Sequence, residues 1–156
     1  MQGTDSSSRD LVKDFENICR REGLKLTYQR LAILHALANA KDHPGAEDMY
    51  EQVKSKVPPI SFDTVYRTLA LFERCGVIAR VQCPDDRARY DPNTAPHPHI
   101  VCMNCKKIED FHSSTFDEVK IPEETEQWGL IKSKHLEFRG ICRKCLENEK
   151  EGGARG

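Results

Sequence analysis

Four cysteines lie in two closely spaced pairs and could together hold a metal ion. The pairs are Cys102-x-x-Cys105 and Cys142-x-x-Cys145. Two thiolates separated by two residues on a tight turn can face one ion, and two such turns complete a tetrahedral Cys₄ site for Zn²⁺. Four protein ligands leave no open coordination position, so this zinc would stabilise the fold and would not carry out chemistry. The alternatives are two disulfides or four buried thiols.

A second group of residues offers imidazoles and carboxylates. The histidines of the His-Pro-His sequence at 97–99 alternate as strand residues do, so both can face one side. Such donors suit Fe²⁺, Mn²⁺ or Zn²⁺. Because they come from both halves of the chain, an ion bound to them would fix the angle between domains, and its loss would release that geometry. The alternatives are exposed hinge histidines and ordinary turns. The candidate ligands are His43, Asp91, His97, His99 and Asp110.

The first half of the chain has the pattern of helices followed by a β-hairpin. Apolar residues recur at helical spacing in four segments. Thr27 and Ser61 each precede such a segment and can cap its N-terminus. Two strand-like runs on either side of Pro84-Asp85-Asp86 predict the hairpin. The predicted elements are helices over 10–22, from Thr27 to Ala38, over 46–57 and from Ser61 to Gly76, and strands over 77–82 and 88–90.

Helices followed by a hairpin favour a winged helix-turn-helix, in which the fourth helix would lie in the DNA major groove. Arg67 on that helix could donate to guanine or phosphate, and Tyr66 could contact a base methyl or a phosphate. The alternative is an ordinary solvated helix face, since helix-turn-helix units also occur in proteins that do not bind DNA. The predicted outward face comprises Asp63, Thr64, Tyr66, Arg67 and Thr68.

The second half has the pattern of a small α+β domain behind a proline-rich hinge. Residues 91–98 contain three prolines and cannot continue a helix or a sheet. The apolar core of the second half is thin, which explains the need for a metal. Strands are predicted over 100–103 and 107–111, a helical stretch over 114–128, and a long alternating run over 130–141.

Composition limits the classes of partner and compartment. The net charge is −1, so any DNA contact must come from a local surface and not from overall basicity. No apolar run approaches the ~20 residues that a membrane span needs. The polar, Ser-rich start of the chain lacks the apolar core of a signal peptide. A reducing cytoplasm is therefore expected, and it favours metal over disulfides at the paired cysteines.

Six stretches of the sequence resemble the ferric uptake regulator family, in that family's order and spacing. Together they are far more specific than any one of them alone. They are GLKLTYQR at 23–30, HPGAEDMY at 43–50, ISFDTVYRTL at 60–69, RYD at 89–91, HPHIVCMNC at 97–105 and CRKC at 142–145.

The resemblance implies a homodimeric, metal-responsive transcription factor, usually a repressor, that binds operator DNA in the cytoplasm and is not an enzyme. The Cys₄ zinc would be structural and the second site regulatory, binding Fe²⁺ or Mn²⁺. Lys25 and Arg30 join Thr64, Tyr66 and Arg67 as residues expected to contact DNA. The expected organisation is a winged-helix DNA-binding domain over 1–90, a hinge over 91–98, a zinc-stapled α/β dimerisation domain over 99–146 and a disordered tail over 147–156.

Within the family, the ligand types resemble the peroxide-sensing branch. The regulatory ligands of that branch look like three His and two Asp, whereas iron-sensing members often carry Glu where Asp91 and Asp110 stand. By resemblance, bound iron would react with peroxide and oxidise His43 or His97, so that the metal and the DNA are released. The alternative is an iron-responsive repressor without peroxide chemistry. A metallohydrolase using the His and Asp residues is a third hypothesis, but the sequence shows no catalytic signature.

Overall fold

The computed structural model describes residues 4–152 of the chain. The chain divides into two compact units, residues 1–94 (unit 1) and residues 95–156 (unit 2). Among the residues described, no helix is both long and apolar enough to cross a membrane.

The described part of unit 1 contains four helices and a two-stranded antiparallel hairpin, which confirms the predicted order of elements. In the hairpin, Ala79 pairs with Asp91 and Val81 pairs with Arg89. The elements are α1 Thr4–Glu22, α2 Tyr28–Ala38, α3 Ala46–Lys54, α4 Phe62–Arg74, β1 Ala79–Val81 and β2 Arg89–Asp91.

Local signals set most of these boundaries. The side chain of Thr27 accepts a hydrogen bond from the backbone N–H of Arg30, and Ser61 caps α4 by accepting one from Thr64. Helix α3 ends at Lys54, short of the predicted residue 57. The N–H of Lys56 donates to the Val53 carbonyl three residues back, which tightens the last turn. The helix does not continue, because Pro58 keeps Val57 out of the helical conformation.

The four helices and the hairpin share one apolar core. Phe15 of α1 meets Phe72 of α4 edge to face, with ring centroids 4.7 Å apart. Tyr90 of β2 also packs into this core, so the helices position the hairpin directly. Thr68, which was predicted on the outward face of α4, is buried. It lies three residues after Val65 and four before Phe72, which places it on the apolar stripe of the helix.

Unit 2 is built on a three-stranded sheet in the order β4-β3-β5. Strand β3 pairs antiparallel with β4 and parallel with β5. The buried residues described in unit 2 are few, and two of them, Val101 and Ile108, are register partners on β3 and β4. The elements are β3 His99–Cys102, β4 Ile108–Asp110, α5 Ser114–Glu118, a 3₁₀ helix Glu123–Trp128, β5 Glu137–Gly140 and α6 Arg143–Gly152.

Three predictions for unit 2 need correction. The helical stretch over 114–128 is split into α5 and the 3₁₀ helix, because Pro122 interrupts it. The alternating run over 130–141 forms a strand only over 137–140, the length over which β3 offers partners. Residues 147–152, predicted as part of a disordered tail, continue α6 with good helix formers such as Glu and Lys. Residues 153–156 of that predicted tail lie outside the described residues.

Candidate metal centres and DNA-contacting surface

The two cysteine pairs meet at one end of the unit 2 sheet. Cys102 ends β3, and its register partner on the parallel strand β5 is Gly140, two residues before Cys142. The Sγ atoms of Cys102 and Cys145 lie 3.9 Å apart, and those of Cys105 and Cys142 lie 3.8 Å apart. All four Sγ atoms lie within 4.8 Å of one another.

These distances fit a tetrahedral zinc site. Zn–S bonds of about 2.3 Å in a tetrahedron place sulfur atoms about 3.8 Å apart, whereas a disulfide bond is about 2.0 Å long. None of the four cysteines is joined in a disulfide. The chemistry of the donor set and its spacing therefore both suit Zn²⁺, and the two-disulfide alternative has no support in the geometry.

The electrostatics of the four thiols also favour the binding of a cation. The backbone N–H of Cys142 donates to the sulfur of Cys102 at 3.3 Å, and together with further N–H donors it lowers the pKa of Cys102 to about 6. The neighbouring sulfur of Cys142, together with burial, raises the pKa of Cys145 to about 12. One thiolate thus forms readily while a second is resisted by its neighbours. A divalent cation would offset this repulsion and allow all four to ionise.

Unit 2 holds a cluster of two imidazoles and one carboxylate. His99 on β3 pairs in register with Asp110 on β4. The Oδ1 atom of Asp110 lies 3.1 Å from Nε2 of His97 and 3.5 Å from Nε2 of His99. The Nδ1 atom of His97 lies 2.7 Å from the Ala95 carbonyl. A carbonyl only accepts, so Nδ1 carries the proton and the lone pair of a neutral His97 is on Nε2, facing Asp110.

Unit 1 holds a buried imidazole–carboxylate pair. The Nε2 atom of His43, which precedes α3, lies 3.3 Å from Oδ2 of Asp91 at the end of β2. The two side chains are only 7% and 4% exposed. The other oxygen of Asp91 accepts the backbone N–H of Asn93 at 2.7 Å, which orients the carboxylate. Asp91, which was predicted to begin the hinge, is thus a buried residue of β2 that pairs with Ala79.

Both of these clusters consist of nitrogen and oxygen donors. Neutral imidazoles with carboxylates suit Fe²⁺, Mn²⁺ or Zn²⁺, while soft thiolates select zinc or copper. The donors therefore match a regulatory ion of the kind predicted, and they differ in type from the Cys₄ site.

The helix α4 presents part of the predicted DNA-contacting surface to solvent. The side chains of Tyr66 and Arg67 are exposed. Arg67 forms an ion pair with Asp63 one turn earlier, with Nε 2.9 Å from Oδ2. Thr64 is half-buried, and its hydroxyl lies 2.9 Å from that of Ser61, so it takes part in the helix cap.

The two other predicted DNA contacts lie around the connection between α1 and α2. Lys25 is exposed on that connection. Arg30 is half-buried, and its Nη1 atom donates to the Lys25 carbonyl at 2.5 Å. Its guanidinium therefore braces this loop.

Two residues that position the unit 1 pair are not among the predicted site residues. Arg89, two residues before Asp91 on β2, forms an ion pair with Asp48 in the first turn of α3. Side chains alternate along a strand, so Arg89 and Asp91 lie on one face, and this alternation could have identified Arg89 from the sequence.

Comparison with known proteins gives one family. The profile of the ferric uptake regulator family matches residues 21–139. The peroxide operon regulator of Bacillus subtilis (strain 168) is 34% identical over 138 residues, which cover 88% of this chain and 95% of that protein. The peroxide-responsive repressor PerR of Staphylococcus epidermidis is 34% identical over 128 residues, covering 82% of this chain and 85% of that protein. The iron-containing structure of the ferric uptake regulator from Francisella tularensis superposes with a TM-score of 0.67 at 28% identity, covering 80% of this chain and 96% of that chain.

Proposed function

The chain belongs to the ferric uptake regulator family, and from this premise we propose that it is a metal-dependent, DNA-binding repressor that responds to peroxide. Two relatives that are 34% identical over most of their length are named for peroxide regulation. The family consists of transcription regulators and not of enzymes. The observation that supports the proposal most is the composition of the two nitrogen and oxygen clusters, which contain three histidines and two aspartates.

We propose that these five residues supply the ligands of one regulatory ion, Fe²⁺ or Mn²⁺. The short side chains of the two aspartates restrict how each carboxylate reaches an ion, in contrast to the glutamates that often occupy these positions in iron-sensing members. The ligand set is His43, Asp91, His97, His99 and Asp110.

Neighbouring groups of the chain favour metal binding at this site and oxidation of one of its histidines. The Ala95 carbonyl fixes the proton of His97 on Nδ1, so Nε2 is the donor atom. Burial of His43 and Asp91 excludes water from the pair. Fe²⁺ held by these residues would supply the reaction in which hydrogen peroxide adds one oxygen atom to the imidazole of His43 or His97 and its second oxygen leaves as water. An oxidised imidazole is a poorer ligand, so the metal would be lost and the repressor would release DNA.

DNA binding and dimerisation are assigned to different units. Helix α4 of unit 1, with Tyr66 and Arg67 exposed, is the proposed reader of operator DNA. Unit 2 exposes an apolar sheet face formed by Ile100 and its register partner Phe138, with Phe111 against Phe138 at a ring distance of 6.0 Å. We propose that this face contacts the second subunit of a homodimer, because contiguous exposed apolar surface marks interaction sites.

The expected compartment is the cytoplasm, where operator DNA lies.

Peptide mass spectrometry tests the proposal. The protein is loaded with Fe²⁺, Mn²⁺ or Zn²⁺, treated with stoichiometric hydrogen peroxide, digested and mapped. We expect one added oxygen on the peptide containing His43 or His97 with Fe²⁺ only, together with loss of DNA binding. His35 and His135, both exposed histidines outside the ligand set, serve as internal controls and should remain unmodified.

Two other outcomes distinguish the alternatives. If no ligand histidine is oxidised while DNA binding still depends on Fe²⁺, the chain is an iron-responsive repressor without peroxide chemistry. If DNA binding is indifferent to Fe²⁺ and Mn²⁺, the regulatory site itself is refuted.

A further inference from the structure

Strand β2 and the segment that leads into α3 are joined along a continuous seam. At one end, His43 contacts Asp91. The next link is the backbone hydrogen bond from the N–H of Tyr90 to the Pro44 carbonyl, at 3.0 Å. Beyond it, a Cβ at Gly45 would lie 3.4 Å from the Ala88 carbonyl, so the two backbones approach closely.

Arg89 forms the last link of this seam and extends it to the turn of the β1–β2 hairpin, which is the wing of the predicted winged helix. Its Nη1 atom lies 3.3 Å from Oδ2 of Asp48, the same oxygen that accepts the Gly45 N–H at 2.9 Å and so caps α3. Its Nη2 atom lies 4.0 Å from Oδ2 of Asp85 in the turn between β1 and β2. A hydrogen bond from Cys83, with smaller contributions from Arg87 and Arg89, lowers the pKa of Asp85, so this carboxylate remains ionised at neutral pH. The guanidinium therefore bridges two carboxylates, one on α3 and one on the wing turn.

The period of the strand connects this bridge to the metal ligand. Residues 89 and 91 face the same side of the hairpin, while Tyr90 between them faces the core. A shift of Asp91 along its strand therefore moves Arg89 with it. The ligand pair lies at one end of the three-residue strand β2, and the wing turn lies beyond its other end.

We propose that Arg89 is a positioning residue that couples occupancy of the regulatory ligands His43 and Asp91 to the conformation of the wing. This inference rests on the proposed function, because it presupposes a metal at these ligands and DNA at the winged helix. When the ligand pair is fixed, the seam fixes Arg89, and Arg89 holds the wing turn through Asp85 in the geometry that flanks DNA. When the metal leaves His43 and Asp91, the position of Arg89 is no longer fixed, and Arg89 no longer holds the wing turn in that geometry.

The coupling role is separable from a role in stability. The Nε atom of Arg89 is buried without a hydrogen-bond partner among the described residues. The side chain of Arg89 is 20% exposed and those of Asp48 and Asp85 are 55% and 25% exposed, so solvent screens these ion pairs and they contribute little net stability. Replacement of Arg89 should therefore leave unit 1 folded while removing the bridge between α3 and the wing turn.

The experiment measures metal binding and DNA binding separately. The DNA probe is a duplex selected from a random library by the Mn²⁺-loaded wild-type protein. The dissociation constant for this duplex is measured at one salt concentration with saturating MnCl₂ and with no added metal. The coupling ratio is the constant without metal divided by the constant with MnCl₂. Mn²⁺ affinity without DNA is measured by titration, and folding is checked by circular dichroism.

We expect Arg89→Ala to bind Mn²⁺ within about threefold of wild type while its coupling ratio falls at least about tenfold. Asp48→Asn, which keeps an oxygen to cap α3 but removes the charge, should lower the ratio in the same direction, and Arg89→Lys should give an intermediate value because it lacks the bidentate fork. Arg80→Ala is the matched control, since Arg80 is an exposed arginine on β1 of the same hairpin. It should weaken DNA binding equally with and without Mn²⁺.

A wild-type coupling ratio in Arg89→Ala and Asp48→Asn would overturn the inference, and so would a loss of Mn²⁺ binding as large as the loss of DNA binding. An absence of Mn²⁺-dependent DNA binding in the wild-type protein would instead refute the proposed function, and the two failures are therefore distinguishable.

Discussion

Substitution of one zinc-site cysteine, Cys102→Ser, should unfold unit 2 and leave unit 1 folded. Apart from Pro98 and the cysteines, the buried apolar side chains described in unit 2 are Val101, Ile108 and Phe116. At about 1.5–3 kcal/mol for each fully buried side chain, they contribute roughly 5–9 kcal/mol. A structural zinc contributes about 10–16 kcal/mol of folding free energy at neutral pH. The metal is therefore the larger of the two stabilising contributions to this unit.

The effect should stop at the boundary between the units. Unit 1 has its own core around Phe15 and Phe72, and the described members of this core lie between residues 11 and 90. Its four helices should therefore persist when the zinc is lost. Because the proposed dimer surface lies on the unit 2 sheet, we also expect Cys102→Ser to be monomeric.

Three measurements check this prediction. Zinc content by atomic absorption should fall from one equivalent per chain to near zero, limited proteolysis should cleave after residue 95 while sparing α1 to α4, and size-exclusion chromatography should show loss of the dimer. Cys75→Ser, which removes a half-buried thiol of unit 1, is the control and should retain zinc and dimerisation. A monodisperse, dimeric, zinc-free Cys102→Ser protein would refute the reasoning.

Three further predictions concern unit 1. Arg67→Ala should weaken operator binding by roughly 1–3 kcal/mol if Arg67 reads a base. Asp63→Asn releases Arg67 from its ion pair and should strengthen binding to random duplexes more than to the operator. If neither substitution changes the dissociation constant at fixed salt, Arg67 is not part of the DNA-contacting surface. Ser61→Ala should cost about 1 kcal/mol in the free energy of unfolding, measured by urea denaturation, because it removes the cap of α4. Burial raises the pKa of Cys19, so a smaller fraction of this thiol is ionised at pH 8. Iodoacetamide should therefore label Cys75 before Cys19, as followed by timed peptide mapping. Equal labelling rates would contradict the burial argument.

Much of unit 1 was predictable because its boundaries depend on local interactions. Thr27 and Ser61 each bond a backbone N–H three residues ahead, so the cap is visible in the sequence itself. The paired cysteines were visible for a similar reason, since each pair lies within one turn and its spacing alone suits a metal.

Unit 2 was less predictable because its sheet is assembled from distant segments. The alternating run over 130–141 satisfies the strand pattern for twelve residues, yet only Glu137–Gly140 finds a partner on β3. The pattern indicates which residues can form a strand, but the number of available partners sets its length. Thr68 shows the same limit on a helix, because its polar type suggested exposure and its place on the apolar stripe of α4 decided otherwise.

The sequence by itself determined the types of ligand, their spacing and the order of the elements, because chemical identity and short-range geometry are properties of neighbouring residues. Only the tertiary structure decided which ligands face each other. His43 and Asp91 are 48 residues apart and meet because the segment before α3 is joined to β2 along its seam. The bridge from Arg89 to Asp48 spans 41 residues and has the same origin. Contacts of this separation depend on how the elements pack around a common core, and no local pattern encodes that packing.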